Sequence, residues 1–248
     1  MHDVSVEALP LPQSVLSIPG VQPLEMEVVD ASELGAQMRR LVLSAPNLGE
    51  LSHQPGQDIM LVLGQVGDRP LSRRYTIRSL DRARQLVELN IVAHGVHGPG
   101  ARWAEDAEPG SRVNGVGPRG KIFLDPAADW HLFLGDASGA PASLAMLEAL
   151  PPDVPGFAFL ELEHALPHSA TGKHHVQWLT DATLADALQA FEPPAGDGHV
   201  YIAGEVQQVN ALREAALARG LQTEQVAAKA YWGRGQPNAP RGEPEVSS

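Results

Sequence analysis

The sequence has no cysteine among its 248 residues. Disulfides, thiolate metal sites, iron–sulfur clusters and cysteine nucleophiles are therefore excluded, and any redox role needs a bound organic cofactor. It also has no apolar run of the roughly eighteen residues that a membrane span requires. The first twenty residues have no basic segment and are interrupted by Pro10, Pro12 and Pro19, so we expect no secretory signal and a cytoplasmic protein.

Acidic residues outnumber basic residues, and the net charge is −12 at pH 7. This balance argues against a nucleic-acid partner, because binding to phosphates needs a basic footprint. Within the acidic chain, however, six of the eighteen cationic residues lie within sixteen positions. They form either a site for a small anion or a solvated strand face. These residues are Arg69, Arg73, Arg74, Arg78, Arg82 and Arg84.

The order of secondary-structure patterns predicts two domains. Between residues 24 and 123, short aliphatic runs bounded by Gly, Pro, Asp and Asn are typical of a barrel or sandwich, with one short helix at 101–107. After Pro126, strands and helices alternate, which predicts a mostly parallel sheet that binds ligands at the carboxyl ends of its strands. We divide the chain into an N-terminal extension (1–23), a β-barrel (24–126), an α/β domain (127–235) and a disordered tail (236–248).

A strand in the barrel region reads Ser72-Arg-Arg-Tyr-Thr-Ile-Arg78. Alternation along a strand places Arg73 and Tyr75 on one face, where a phosphate-pairing guanidinium and an aromatic ring can contact one ligand. Thr76 can offer its hydroxyl or backbone N–H to a ring edge. Arg-x-Tyr-Thr on a barrel strand is the flavin signature of ferredoxin-reductase-like enzymes, although the same three residues also occur by chance on surface strands.

A second motif runs from His94 to Ala104 and contains Gly98-Pro99-Gly100-Ala101 followed by Trp103. The glycines allow a close backbone approach, and Pro99 suits the first turn of a helix. The free N–H groups at such a helix start suit a pyrophosphate. The alternative interpretation is an ordinary Gly-Pro turn with Trp103 in the core.

Together with further motifs, these segments resemble the siderophore-interacting protein family of FAD-binding ferric-siderophore reductases. The further motifs are Gly117-Pro-Arg-Gly120, Gly135-Asp-Ala-Ser-Gly-Ala-Pro-Ala142, Gly204-Glu205 and Tyr231-Trp232. The resemblance covers residues 24 to 236. It implies a ferredoxin-reductase-like fold, an antiparallel FAD-binding barrel followed by a parallel-sheet NAD(P)H-binding domain. The resemblance also implies a ferric siderophore as the substrate. Reduction would release the iron, because hard oxygen ligands hold Fe(III) better than Fe(II).

The resemblance also assigns residues. Cofactor-binding residues are expected to be Arg73, Tyr75, Thr76, His94, Gly98, Pro99, Ala101, Trp103, Ala104, Asp136 and Ser138. Substrate-binding residues are expected to be Arg78, Arg119, Lys121 and Arg234. No residue is assigned to catalysis, because the flavin carries the electron chemistry. We expect a monomer with no metal site and no membrane insertion.

The sequence departs from the family pattern at two places. Ala137 stands where the family has an acidic residue, and Gly233 replaces the arginine that usually follows Tyr-Trp. Because of the first change, the motif does not define the residues of the nicotinamide site. Asp136 and Ser138 then have an alternative, purely structural role as helix caps. The second removes a cation that would dock a siderophore, although Arg234 follows one place later.

Three hypotheses remain open from the sequence. The first is the ferric-siderophore reductase, the second a flavin-binding homologue repurposed for a non-iron substrate, and the third a binding module without redox work. Four histidines, His164, His168, His174 and His175, fall in one region, but its Pro167 and Gly172 do not favour the regular spacing of a metal site. The choice between NADH and NADPH stays open, because no G-x-G-x-x-G fingerprint is present.

Overall fold

The computed structural model describes residues 8–35, 38–67, 69–93 and 98–234. The chain divides into two compact units, one up to Lys121 and the other from Ile122 onward. No helix in the described part of the chain is long and apolar enough to cross a bilayer.

The first unit is a seven-stranded antiparallel sheet with the order β4-β3-β7-β1-β2-β6-β5. Irregular pairing bends the sheet between Val28 and Asp30 in its first strand and between Val62 and Gly64 in its third. The elements are α1 (Gln13–Leu16), β1 (Gln22–Glu33), β2 (Met38–Ser44), a 3₁₀ turn (Leu48–Glu50), β3 (Asp58–Val66), β4 (Arg69–Thr76), β5 (Ser79–Asp81), β6 (Leu86–Val92), α2 (Pro99–Asp106) and β7 (Arg112–Arg119).

A large core cluster fills most of this unit, and a smaller one is formed by Val15, Met60 and Val116. Alternate residues of β1, β2 and β6 point into the large cluster, as in Leu24, Met26 and Val28 of β1. Helix α2 contributes Ala104, which is wholly buried in the same cluster. The helix is therefore fixed to the sheet through its apolar side, and its N-terminus has a defined position beside β4.

The second unit is a five-stranded parallel sheet with the order β10-β9-β8-β11-β12. Its first strand in sequence is central, and the chain adds β9 and β10 on one side and β11 and β12 on the other. The elements are β8 (Trp130–Asp136), α3 (Ala140–Glu148), β9 (Gly156–Glu161), β10 (His174–Leu179), α4 (Leu184–Ala190), β11 (Gly198–Glu205), α5 (Val206–Ala218), a 3₁₀ turn (Thr223–Gln225) and β12 (Val226–Trp232).

The strand order reverses between β8 and β11, so the crevice at their carboxyl ends is the topological switch point of this sheet. Doubly wound sheets bind their ligands at such a point. Asp136 ends β8 and Glu205 ends β11. The predicted combination of an antiparallel domain and a parallel α/β domain is confirmed.

Candidate functional site

In the first unit, β4 and the start of α2 touch at one glycine. A Cβ built on Gly100 would lie 2.2 Å from the Tyr75 hydroxyl oxygen and 3.2 Å from Cγ of Arg73. Only glycine permits this approach, since real Cβ contacts are never so short. The predicted alternation is therefore confirmed: Arg73 and Tyr75 lie on the same side of β4, against the first turn of the helix.

Arg73 has an unusual charge environment. Its Nη1 donates to the carbonyl of neighbouring Ser72 at 2.8 Å, and no described carboxylate lies within ion-pair distance of it. Burial lowers the pKa of its guanidinium, and the Tyr75 phenol offsets part of this effect. A half-buried guanidinium without an acidic neighbour is suited to pair with a phosphate.

Tyr75 is held by an aromatic neighbour as well as by Gly100. Its ring stacks with Trp103 of α2 at a centroid distance of 6.5 Å and an interplanar angle of 25°. Both residues pack against the core of the unit. Burial raises the pKa of the Tyr75 phenol above its ordinary value, so the hydroxyl stays protonated and can donate a hydrogen bond. The pair forms a rigid aromatic wall.

No side chain of the described residues caps the N-terminus of α2. Its N-cap, Gly98, is extended with φ −81° and ψ 151° and makes no side-chain cap. A Cβ on Gly98 would meet no atom of the described residues within 4 Å, so these residues leave space beside it. Pro99 lacks an N–H, which leaves the amides of Gly100 and Ala101 directed at that space. This arrangement can accept an anion next to Arg73.

The remaining predicted cofactor residues of this unit are placed differently. Thr76 ends β4 and is buried opposite Asp58 in the neighbouring strand. Ala104 is fully buried in the core, so its placement favours anchoring of the helix over contact with a ligand. His94 lies outside the described residues, and its role stays a prediction.

The four predicted substrate contacts are dispersed. Arg78 is only 8% exposed, and its backbone N–H donates to the Glu88 carbonyl at 2.9 Å. Such burial does not favour direct contact with a bulky complex. Arg119 ends β7, where its Nη1 lies 3.0 Å from the sulfur of Met60. Lys121 is exposed in the first unit and Arg234 is exposed in the second, so both are available to bind an anion.

In the second unit, the Asp136 carboxylate accepts five hydrogen bonds. Oδ1 accepts from the backbone N–H of Ser138 at 2.8 Å, from its hydroxyl at 2.6 Å and from the N–H of Gly139 at 3.1 Å. Oδ2 accepts from the N–H of Glu205 at 2.9 Å and from the indole N–H of Trp232 at 2.8 Å. One side chain therefore joins the ends of β8, β11 and β12.

The expected capping role of Asp136 and Ser138 is wrong in its details. Helix α3 has Gly139 as its N-cap, and no side chain caps its first turn. The two residues bond to each other and close the loop on itself. Gly139 is required here, because its Cβ would lie 2.2 Å from the carbonyl oxygen of Ala203. The loop therefore lies directly on the end of β11.

A row of carboxylates crosses this edge of the sheet. Asp136 and Glu161 are register partners at the ends of β8 and β9, and Glu205 ends the strand on the other side of β8. Gln208 links the outer two. Its side-chain amide donates to Glu161 Oε2 at 2.9 Å, and its backbone N–H donates to Glu205 Oε2 at 3.0 Å. The switch point is therefore rich in hydrogen-bond acceptors.

The opposite, amino-terminal ends of β8 and β11 hold a second titratable cluster. His131 and His199 are register partners, and both rings stack on Tyr201. Asp125 donates its N–H to the Tyr201 hydroxyl at 2.8 Å and places Oδ2 3.5 Å from Nδ1 of His199. Burial, and secondarily the charge of His199, lowers the pKa of His131 to about 4, whereas Asp125 acts in the opposite direction.

The four histidines of the β9–β10 region take separate positions. The His175 ring stacks on Phe157, the His168 ring contacts Trp178, and His174 Nε2 lies 3.2 Å from the carbonyl oxygen of Pro151. Across the described ranges, no group of three or more His, Asp and Glu side chains is placed to hold a metal.

Sequence reasoning did not find two features of the second unit. Glu161 was not singled out, because no glycine fingerprint marked the first turn; its place as the last residue of the second strand is the signal that could have found it. The bond between Trp232 and Asp136 joins residues 96 positions apart. It follows from the strand order rather than from any local pattern.

The first unit fits an FAD molecule. Arg73, which has no acidic partner among the described residues, suits a pyrophosphate together with the uncapped start of α2 and the space at Gly98. The wall of Tyr75 and Trp103 suits the apolar part of a flavin. In the second unit, carboxylate acceptors suit the hydroxyl and amide donors of a nicotinamide nucleotide. Each unit thus offers one site whose chemistry matches a redox dinucleotide.

Comparison with known families agrees with this division. The model of the siderophore-interacting FAD-binding domain matches residues 65–122, and the model of the siderophore-interacting protein matches residues 128–235. The first match contains β4 and α2. The second contains β8 to β12.

Two curated relatives carry functional names. Ferric vibriobactin reductase ViuB of Vibrio cholerae is 32% identical over 186 residues, which cover 68% of this chain and 66% of that protein. The NADPH-dependent ferric-chelate reductase of Escherichia coli is 30% identical over 174 residues, covering 67% of this chain and 68% of that protein. The chain thus spans about two thirds of the length of both relatives.

Solved structures show the same architecture. A siderophore utilization protein from T. fusca superposes with a TM-score of 0.72 at 29% identity, covering 88% of this chain and 95% of the other. The ferredoxin reductase of carbazole 1,9a-dioxygenase shares the fold, with a TM-score of 0.67 at 20% identity over 85% of this chain and 67% of the other. With its ferredoxin-reductase-like fold, the chain belongs to the siderophore-interacting protein family.

Proposed function

We propose that this chain is an FAD-dependent reductase that passes electrons from a nicotinamide nucleotide to the Fe(III) of a ferric siderophore. The observation that carries the proposal is the junction of β4 and α2, where Arg73 has no described acidic partner beside an uncapped helix start. The names of the Vibrio cholerae and Escherichia coli relatives supply the reaction class.

The residues of the first unit bind and orient the cofactor. Arg73 and the amides of Gly100 and Ala101 hold the pyrophosphate, and Pro99 fixes the geometry of the turn that presents them. Tyr75 and Trp103 supply an aromatic face, with Thr76 and His94 as further contacts. Bound FAD would supply the chemistry for accepting a hydride from the nicotinamide and passing on single electrons.

The second unit receives the electron donor at its switch point. Asp136 fixes the loop from Ala137 to Gly139 and the ends of two neighbouring strands, so the acceptors of this edge are in place before the donor arrives. Ser138 helps to close that loop. We take 24–126 and 127–235 as the functional division, flanked by an extension (1–23) and a tail (236–248).

Substrate docking is assigned to the cations Arg119, Lys121 and Arg234, whereas Arg78, which was predicted with them, is too buried to favour direct contact. A ferric siderophore complex with net negative charge would be attracted by these side chains, of which Lys121 and Arg234 are exposed. Reduction to Fe(II) weakens the hold of the hard oxygen ligands and releases the iron. We further propose that the enzyme works as a monomer in the cytoplasm, where nicotinamide nucleotides are regenerated, and that it has no nucleic-acid partner.

A steady-state assay tests this function. The holoprotein is mixed with a nicotinamide donor, a ferric catecholate or hydroxamate siderophore, and a chromogenic Fe(II) chelator. One donor molecule yields two electrons, so we expect two Fe(II) formed for each nicotinamide oxidised. Protein that retains FAD but oxidises neither NADH nor NADPH with any ferric complex would contradict the proposal and favour a flavin enzyme with a non-iron substrate.

A further inference from the structure

The residues at the carboxyl ends of the strands in the second unit indicate which nicotinamide nucleotide the protein binds. In doubly wound sheets, an acidic residue at the end of the second strand accepts hydrogen bonds from the adenosine ribose, whereas NADP-binding sites place an arginine nearby for the 2′-phosphate. Here the second strand is β9, and its last residue is Glu161. Glu161 therefore occupies the position of that acidic residue, although the turn after β8 lacks the G-x-G-x-x-G fingerprint of such sites.

The Glu161 carboxylate is held in place rather than extended into solvent. Gln208, on the first turn of α5, donates its side-chain amide to Glu161 Oε2 at 2.9 Å. The same Gln208 is fixed by its backbone N–H, which donates to Glu205 Oε2. This arrangement leaves Oε1 of Glu161 as an acceptor at the switch point, with an orientation set by the protein.

A second carboxylate oxygen at this edge independently indicates a ligand that donates hydrogen bonds. Glu205 is 8% exposed, and its Oε2 accepts from the amides of Gln207 and Gln208 at 2.7 and 3.0 Å. Its Oε1 is buried and has no hydrogen-bond partner among the residues described. A buried acceptor without a partner is costly, so this oxygen is suited to a hydroxyl or carboxamide of a bound nucleotide.

Among the described residues, the loops at this edge offer few cations for an extra phosphate. The residues directly after β8, β9, β10 and β11, which are 137–139, 162–172, 180–183 and 206–212, contain no lysine or arginine. They do contain Glu163 and Asp181. Lys173 lies directly before β10, at the amino end of that strand, and Arg213 lies further along α5. Arg234 follows β12, which lies three strands away from β9. A 2′-phosphate near Glu161 would therefore meet negative charge without a compensating cation.

We propose that this chain selects NADH over NADPH as its electron donor, and that Glu161 makes the selection by accepting hydrogen bonds from the ribose hydroxyls. The inference rests on the proposed function, because it names the donor of the same site. The inferred donor, NADH, differs from the donor in the name of the Escherichia coli relative, which is NADPH.

The binding of NAD⁺ and NADP⁺ to the FAD-loaded protein, measured by calorimetry, tests the inference without turnover. We expect NAD⁺ to bind about tenfold or more tightly than NADP⁺, from the repulsion of one added phosphate by a nearby carboxylate. Glu161→Gln keeps an acceptor oxygen but removes the charge, so the preference should shrink about tenfold, mainly through tighter binding of NADP⁺. Glu214→Gln, an equal charge change at an exposed position in α5, should leave the preference unchanged.

Two results overturn the inference. One is equal or tighter binding of NADP⁺ by the wild-type protein, which needs no variant. The other is an unchanged preference in Glu161→Gln. The rate of flavin reduction by each donor distinguishes failure of this inference from failure of the proposed function. If NADPH bleaches the flavin faster than NADH, the inferred donor preference is wrong but the proposed reductase function is not. If neither donor bleaches it, both are wrong.

Discussion

Trp232 donates its indole N–H to the Asp136 carboxylate across 2.8 Å, and this bond ties the last described strand to the first strand of the parallel sheet. The same carboxylate oxygen also accepts the N–H of Glu205. The motif at Tyr231-Trp232 and the motif at Gly135-Asp136, which are far apart in the sequence, therefore form one structure at the switch point.

Variants that remove more of the hydrogen bonds to the Asp136 carboxylate should use the nicotinamide donor less efficiently. Asp136→Asn keeps one acceptor oxygen, whereas Asp136→Ala loses all five bonds and Trp232→Phe loses one. Hydrogen bonds to charged groups contribute about 1.5–3 kcal/mol each. We expect kcat/KM for the donor to fall least in Trp232→Phe and most in Asp136→Ala. The FAD content per protein should stay at the wild-type value, since Asp136 lies in the second unit, and equal kcat/KM in all three variants would refute the role of this carboxylate.

Gly100 should be intolerant of even one added methyl group. The Cβ of Gly100→Ala would lie 2.2 Å from the Tyr75 hydroxyl, and the forced movement should cost about 1–3 kcal/mol of unfolding free energy. Removing that hydroxyl makes room, so the double variant Gly100→Ala/Tyr75→Phe should recover most of the loss in a double-mutant cycle. Gly98→Ala, where the Cβ meets nothing, should keep the wild-type Tm of the apoprotein. Additive effects of the two substitutions would show that the contact is not the cause.

Arg73 should contribute to FAD affinity through its charge. Arg73→Met removes the guanidinium but keeps much of the stem, and should raise the FAD Kd about tenfold or more. Because the lost term is electrostatic, the wild-type Kd should rise with salt more steeply than that of the variant. Arg112→Met, at an exposed position with a weak 3.4 Å ion pair to Glu27, serves as the control and should leave the Kd unchanged. Fluorescence titration of the apoprotein with FAD measures both, and equal affinities would exclude Arg73 from the site.

The buried histidine pair should make the second unit sensitive to acid. The pKa of His131 is about 4 in the fold and 6.5 without burial. The unfolded chain therefore binds a proton that the folded chain rejects, and the unfolding free energy should fall as the pH drops from 6.5 to about 4. The loss should be on the order of 3 kcal/mol for this residue.

Urea unfolding across that pH range measures this effect. His131→Phe keeps the stacking on Phe133 and Tyr201 but cannot titrate, so its stability should depend less on pH than that of the wild type. His164→Asn, which alters an exposed histidine, should behave as the wild type does. Parallel curves for the wild type and His131→Phe would show that His131 does not cause the acid sensitivity.

Local patterns were sufficient where the geometry is local. The period of a strand placed Arg73 and Tyr75 on one face, and Gly98-Pro99 marked a helix start, although α2 begins at Pro99 rather than at Ala101 because proline is well suited to the first helical position. Helix α1 was not expected, since four residues between prolines and Gly20 give no periodic pattern. The first strand begins at Gln22 rather than at residue 24, where the predicted barrel begins, because pairing with β7 extends it.

Relationships across the sheet could not be derived from those patterns. The Asp136–Trp232 bond, the Glu161–Gln208 bond and the stacking of His131 and His199 on Tyr201 all depend on which strands are neighbours. The order of strands in a parallel sheet is set by long-range packing. The alternation of strands and helices predicts that the sheet is parallel, but it does not predict which strands are neighbours. The donor site was therefore less visible in the sequence than the flavin site.

The most direct test is the absorbance spectrum of the purified protein, followed under anaerobic conditions by addition of NADH and then of a ferric siderophore. We expect a yellow protein whose flavin absorbance is bleached by NADH and returns on addition of the ferric complex, with Fe(II) formed. A colourless protein that binds no added FAD, or a reduced flavin that the ferric complex leaves bleached, would contradict this expectation.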